Sequence, residues 1–318
     1  MKNKFNPTDF GKVVVLMGGF SVEREISLAN GKRILEALVH NKIKAHGLDV
    51  SDNLIQKLLA LKPDYAFIAL HDSGSKDGTI QGVLQYLGIP YTGSGIIGSA
   101  VTREKSFAKL IWQRVGVPTP QFRLVADMEA AINVMVDFGF PLCVKSADAD
   151  TPGTSTCILE SEQLPDAYKT ATTLGDVVMV EPWLEGIHYS VTILGNTPLP
   201  VVEIQTEGVS ANTGRATFEL AKRYLCPSNL SEERQKEIQA LAFRAFQVLG
   251  CTGWGSVNLV EDYNGDLWVL DINTVPDLSE TGPVSIAANT FGLSFDQLVL
   301  EILNQTLRAE KDLMKLAA

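Results

Sequence analysis

The sequence is short of several things. It has four cysteines, Cys143, Cys157, Cys226 and Cys251, and no Cys-x-x-Cys pair among them. A zinc or disulfide role is therefore set aside in favour of buried, reduced thiols in a cytoplasmic protein. No apolar run approaches the roughly 18 residues that a membrane span needs. The start, Met1 to Lys12, is polar and lacks the apolar core of a signal peptide. Positive charge is also in deficit, since 27 Lys and Arg against 37 Asp and Glu leave a formal charge of −10. That balance argues against a nucleic-acid partner, because nothing here would compete for phosphate counterions. Gly18-Gly19 lacks the G-x-G-x-x-G spacing of a dinucleotide fold. There is no internal repeat and no low-complexity tract. What remains is ordinary: 318 residues, 45% hydrophobic and 20% charged, enough for two or three domains and a sizeable core.

Lys12 to Met17 is a short continuous apolar run that reads as a buried parallel strand turning at Gly18-Gly19 into a helix. The helix is expected over about Val22–Leu38, burying Val22, Ile26, Ala29, Ile34, Ala37 and Leu38. A polar stretch, a helix near Leu54–Leu61 and a buried strand, Tyr65–Leu70, follow. This alternation predicts an open α/β domain over residues 1–102, with Gly18–Glu23 and His71–Gly78 facing one cleft at the strand ends. Short strands at Leu142–Lys145 and Val177–Glu181 flank a polar loop, giving a small α+β middle domain over 103–186. The last domain, 187–318, opens with strands Tyr189–Leu194 and Leu199–Gln205 and a polar loop, Thr206–Lys222. Ser231 then caps a helix to Leu249. Strands Ser256–Glu261 and Leu267–Ile272 form a hairpin through Asp262–Gly265.

Some side chains carry more chemistry than their neighbours. Glu23 opens a helix and is either a dipole partner or a ligand contact. His71, at a strand end above a glycine-rich turn, is either a substrate contact or a turn residue. Lys145 ends an apolar strand, where an ammonium is costly to bury unless it meets an anion, so it reads as a phosphate contact. Lys105 is a weaker case, since most helix lysines are solvated. Asp271 and Asn273 lie two apart on one strand and share a face, with Asn258 on the strand before. Oxygen ligands on paired strands suit Mg²⁺, although one carboxylate and two amides are a poor set and a plain hairpin fits as well.

Together these segments resemble the D-alanine–D-alanine ligases of the ATP-grasp superfamily, from about Lys12 to Gln305. The matching text is Gly18–Leu28, Ala69-Leu-His71, Asp77–Gly82, Pro90–Gly95, Gly253-Trp-Gly255 and Asp271–Pro276. The resemblance implies three domains and ATP held between the middle and last ones. ATP would phosphorylate one D-alanine carboxylate, and the amine of a second D-alanine would attack the acyl phosphate. It also implies Mg²⁺ and, because members are often dimeric, a homodimer. On it, Glu23 orients the first D-alanine's ammonium and His71 lies at the substrate. Lys105 and Lys145 contact phosphates, and Glu181, Trp183 and Leu184 meet adenine. Asp271, Asn273 and Asn258 take the metal positions, and Thr151 is a further catalytic candidate.

The departures from that pattern gather on phosphate, ribose and metal. The family's Gly-Ser-Ser-Val-Gly phosphate loop aligns with Asp150-Thr-Pro-Gly-Thr154, where Asp150 repels phosphate and Pro152 removes a backbone donor. His188 replaces a ribose-binding glutamate, and the mobile-loop lysine is missing from Ser210 to Thr217. Ser256 stands for an arginine, Asn258 for a metal aspartate and Asp271 for a metal glutamate. Asp277 stands for a glycine of the oxyanion hole, and Gly282 for a serine that orders the mobile loop. One lost preorganised donor typically costs about 10²–10³ in turnover. A unit charge removed at ~4 Å, with an effective dielectric of ~20, forfeits about 4 kcal/mol. The expectation is a degenerate ligase homologue with part of its D-alanine pocket kept. The alternatives are an active ligase with compensating residues such as Arg215, and a non-catalytic scaffold in cell-wall synthesis.

Overall fold

The computed structural model describes residues 6–50, 52–71, 73–147, 155–175, 177–206 and 222–316. Positions Asp150, Thr151, Pro152, Arg215 and Thr217 lie outside the described residues.

The first unit is an α/β layer. β1 (Lys12–Gly18) is flanked in parallel by β2 (Lys44–Val50) and β3 (Tyr65–Ile68), with α1 (Arg24–His40) and α2 (Leu54–Leu61) as crossovers. β1 is the central strand and is buried along nearly its whole length, as its apolar run requires. β2 is the polar stretch of the sequence. It is an edge strand with only Leu48 and Val50 buried, so it carries no apolar alternation to announce it. Short helices α3 (Ser73–Lys76), α4 (Thr79–Tyr86) and α5 (Ile96–Arg103) follow.

The expected apolar face of α1 is only half correct. Ile34, Ala37 and Leu38 are buried, but Val22 and Ile26 are exposed, and the first turns bury Ser27, Asn30 and Gly31 instead. Polar contacts decide this rotation. Ser27 Oγ accepts from Gly18 N at 2.9 Å and donates to the Ala69 carbonyl at 2.8 Å, tying the β1 turn to the end of β3. Gly31 lies so close to β1 that a Cβ there would meet Met17 Cβ at 2.5 Å.

The second unit begins with α6 (Lys105–Arg114) and contains a four-stranded antiparallel sheet in the order β4-β7-β5-β6. Its strands are β4 (Arg123–Val125), β5 (Leu142–Ser146), β6 (Thr156–Ile158) and β7 (Val178–Pro182). Helices α7 (Met128–Phe138) and α8 (Leu164–Leu174) cover it, α7 being capped by Asp127, which accepts from Ala130 N. Their buried apolar residues form a core with Leu142, Val144 and Val180. Cys143 and Cys157 are opposed across β5 and β6, and all four cysteines are free thiols.

The third unit is built on an antiparallel sheet in the order β11-β10-β8-β12-β13, with a short β9 paired to β8. The strands are β8 (Gly186–Leu194), β9 (Thr197–Pro198), β10 (Val202–Thr206), β11 (Lys222–Leu225), β12 (Trp254–Asp262) and β13 (Leu267–Asn273). Helix α9 (Glu232–Val248) starts as the sequence predicts, with Ser231 Oγ accepting from Arg234 N. α6 packs on this unit through Trp112, whose indole N–H donates to the Ala245 carbonyl at 3.0 Å. The chain ends with α10 (Pro283–Thr290) and α11 (Phe295–Leu316). No single helix among the described residues is long and apolar enough to cross a membrane. α10 and α11 together would be, but they are bent by 99°, and Val284, Ala287, Leu298, Val299 and Leu303 are buried in the core shared with β1 and β3.

Candidate active site

A cleft of about 590 Å³ opens where the three units meet. One end is the first unit's. Gly18 and Gly19 both have positive φ, which lets β1 turn sharply; a Cβ at Gly18 would also meet Asp49 Oδ1 at 2.2 Å. Glu23 stands at the N-cap of α1, makes no capping bond with its side chain and lines the cleft. His71 is buried at its rim.

Asn30 Nδ2 lies 2.6 Å from Asp277 Oδ1, so it must be a donor, and it lies 2.9 Å from His71 Nε2. The imidazole therefore accepts at Nε2 and carries its proton on Nδ1. Burial and the nearby Lys76 ammonium lower the His71 pKa to about 4, against the opposing pull of Asp277. His71 is a neutral acceptor at physiological pH.

Asp277 is thoroughly built in. Its Oδ1 also accepts from Ser279 N at 2.9 Å, and its Oδ2 accepts from Ser279 Oγ at 2.6 Å. The hydroxyl so held sits 2.8 Å from where a Cβ on Gly282 would lie. Two departures thus belong together, since Asp277 draws Ser279 into space that a side chain at 282 would need.

At the other end, Lys145 lies on β5 diagonally across from Glu181 on β7, on the same face of the sheet. The Lys145 ammonium pairs with Glu181 Oε1. Lys109, fully buried on α6, places its Nζ 2.9 Å from Glu181 Oε2 and donates to Thr119 Oγ1 at 3.1 Å. Burial alone would raise the Glu181 pKa, but the two ammonium groups outweigh it and hold the carboxyl at about 2. Burial, reinforced by Lys145, lowers Lys109. Sequence reasoning missed Lys109. Its signal is position, for it shares the buried face of α6 with Ala108 and Trp112. Trp183 N donates to the Pro141 carbonyl at 2.9 Å, which fixes the Glu181–Leu184 turn along the cleft wall. His188, on β8, lines the same wall.

Between the two ends lies the β12/β13 hairpin. Asn258 and Asp271 are directly opposed across the strands, as are Ser256 and Asn273. All four line the cleft, as does Lys105. Asn258 Nδ2 donates to Asp271 Oδ1 at 2.7 Å, and Asn273 Oδ1 accepts from Val275 N at 3.0 Å. These contacts test the fit to Mg²⁺, which asks for hard oxygens from one or two carboxylates. Here the lone carboxylate faces an amide N–H where the second oxygen ligand would stand, and the Asn273 oxygen serves the backbone. Among the described residues no cluster of three or more Asp, Glu, His or Cys could hold a metal. The hairpin thus offers Mg²⁺ one carboxylate and two amide side chains, fewer charged oxygens than a paired-carboxylate site supplies.

Residues 111–304 match the family model described as D-ala D-ala ligase C-terminus. The chain is 41% identical over 299 residues to D-alanine–D-alanine ligase of Nitrosococcus oceani, with 94% of each chain covered. The chain belongs to the D-alanine–D-alanine ligase family. D-alanine–D-alanine ligase from Bacillus anthracis superposes with a TM-score of 0.86 at 23% identity, covering 95% of this chain and 99% of that one. Its complex with ATP gives 0.83 at 24% identity with the same coverage. The ATP-grasp fold is therefore that of the ligase family. Within it, the residues singled out in the sequence and described in the structure gather on one cleft.

Proposed function

We propose that this chain is a D-alanine–D-alanine ligase homologue that binds ATP and D-alanine and whose ligation is strongly reduced. The observation that carries the reading is the Asn258–Asp271 hydrogen bond, which satisfies the hairpin internally where the reaction calls for a cation. Moving a phosphoryl group onto a carboxylate relies on positioning and on positive charge at the transferring oxygens. Lys145 and Lys109 are committed to Glu181, and Ser256 brings no charge. The D-alanine end supports binding, for Glu23 and the neutral His71 line a walled pocket suited to a zwitterion. The Glu181–Leu184 turn supports adenine binding in the same way. On this reading the protein sits in the cytoplasm beside peptidoglycan-precursor synthesis.

The test is phosphate release and dipeptide formation by the purified protein with Mg-ATP and D-alanine. The expected result is no turnover above background, together with a thermal shift from D-alanine that L-alanine does not give and Glu23→Gln removes. Turnover that Lys145→Ala abolishes would sink the proposal.

A further inference from the structure

The Asn30 amide sits where the first and third units meet. It is buried in α1, and both hydrogens of its Nδ2 are engaged, one on Asp277 Oδ1 at 2.6 Å and one on His71 Nε2 at 2.9 Å. Its orientation is dictated. Turned over, the amide would set its own oxygen against the Asp277 carboxylate, two acceptors at hydrogen-bond distance. Asp277 is held in turn by Ser279 N and Ser279 Oγ, so it does not swing away. The order of dependence therefore runs from Ser279 through Asp277 and Asn30 to His71. Which nitrogen of an imidazole carries the proton is set by the bond that the other one makes. With Nε2 accepting, the proton is on Nδ1. Among the described residues Nδ1 has no hydrogen-bond partner, and the ring lines the cleft together with Glu23.

The tautomer decides what the ring asks of a ligand. An N–H at Nδ1 seeks an acceptor, whereas a lone pair there would repel a carboxylate and welcome an amide N–H. We propose that Asn30 is a positioning residue of the amino-acid pocket, fixing His71 as an N–H donor at Nδ1 so that the pocket takes a free carboxylate in preference to a carboxamide. Asn30 does this without lining the cleft itself. The side chain that holds it, Asp277, is one of the departures from the family pattern, so the device belongs to this chain's own residues. The inference deepens the amino-acid half of the reading above and rests on it, and it is independent of whether any ligation occurs.

The experiment has two readouts on the full chain. Long-range ¹H–¹⁵N correlation on ¹⁵N-histidine-labelled protein at pH 7, without ligand, reports the His71 tautomer. Calorimetry then compares D-alanine with D-alaninamide. The parent is expected to show a single Nδ1–H form and to bind D-alanine more tightly than the amide. Asn30→Ala and Asp277→Asn should each give a mixture of the two neutral tautomers, and amide resonances unshifted away from this corner show that both variants are folded. In Asn30→Ala only the Nδ1–H fraction stays competent, so D-alanine binding should weaken by about two- to fivefold and the gap to D-alaninamide should narrow. An Nε2–H form in the parent, or an Asn30→Ala protein that keeps the pure Nδ1–H form, would overturn the proposal. Equal losses for the two ligands would overturn it as well, by making Asn30 a structural residue. A parent with the Nδ1–H form that binds neither ligand would uphold Asn30 as the residue that sets the tautomer and sink the amino-acid reading instead.

Discussion

His71 and Glu181 are both pulled to lower pKa by the cleft, for opposite reasons. His71 is buried and disfavours its charged form, dropping from 6.5 to about 4. Glu181 would rise on burial, but Lys145 and Lys109 favour its charged form and hold it at about 2. The signs agree and the windows differ. For His71, the unfolded chain takes up a proton at higher pH than the folded one, so stability is complete above 6.5 and falls as pH drops toward 4. For Glu181 the loss comes later, between the ordinary carboxyl value of 4.5 and about 2. At pH 5 the His71 contribution lost is about 2 kcal/mol. Urea unfolding at pH 7 and pH 5 should show that loss in the parent and a much smaller one in His71→Gln; equal losses would remove His71 as its source. Glu23 and His71 were legible as cleft residues because both stand at strand-to-helix turns. Asn30 and Lys109 were not, because a lone polar residue inside a helix shows its partner only after distant segments are packed. Asn30 meets Asp277, far along the chain, and Lys109, on α6, meets Glu181 on β7.

At the scale of elements, the β12/β13 hairpin carries Ser256, Asn258 and Asp271, three of the departures from the family pattern. Sequence spacing put Asp271 and Asn273 on one face, and the register adds that Asn258 directly opposes Asp271. Spacing alone could not show whether the amide would join a metal site or close it. In the structure the amide donates to the carboxylate at 2.7 Å. Asn258→Asp replaces that bond with two facing carboxylates, and like charges directly opposed across strands are destabilising by roughly 0.2–1 kcal/mol. In EDTA the variant should melt a few degrees below the parent, and saturating Mg²⁺ should restore it while leaving the parent unchanged. A parent protein that Mg²⁺ stabilises as much as the variant would show that the hairpin still binds the metal. Two other elements show what a sequence hides. β2 was invisible because an edge strand with one solvated side needs few apolar residues. The early turns of α1 were placed on the wrong face because Ser27 and Asn30 make specific polar bonds inside, which apolar periodicity does not weigh.

At the scale of the molecule, the buried residues divide unevenly. Val13 to Leu16 and Phe67 of the first unit share one continuous core with Leu194, Val202 and Trp254 of the third, sealed by Leu298, Val299 and Leu303 of α11. The middle sheet keeps a separate core around Leu142, Val144 and Val180. Among the described residues its links to the remainder at the cleft include Lys105 N to the Ala147 carbonyl at 3.3 Å and the Lys109–Glu181 pair. A body with its own core and thin connections opens as its own cooperative unit, whereas two sheets that share a core open together. Leu142→Ala and Leu303→Ala each remove a fully buried leucine and should each cost about 2–5 kcal/mol. Their patterns in hydrogen exchange should differ. The first should speed exchange in β4 to β7 and leave β1 and β12 protected. The second should loosen β1, β3 and the β8/β12 pair together, with the middle sheet unchanged. If Leu142→Ala loosened all three sheets alike, the middle unit would be held by the cleft contacts rather than by its own core.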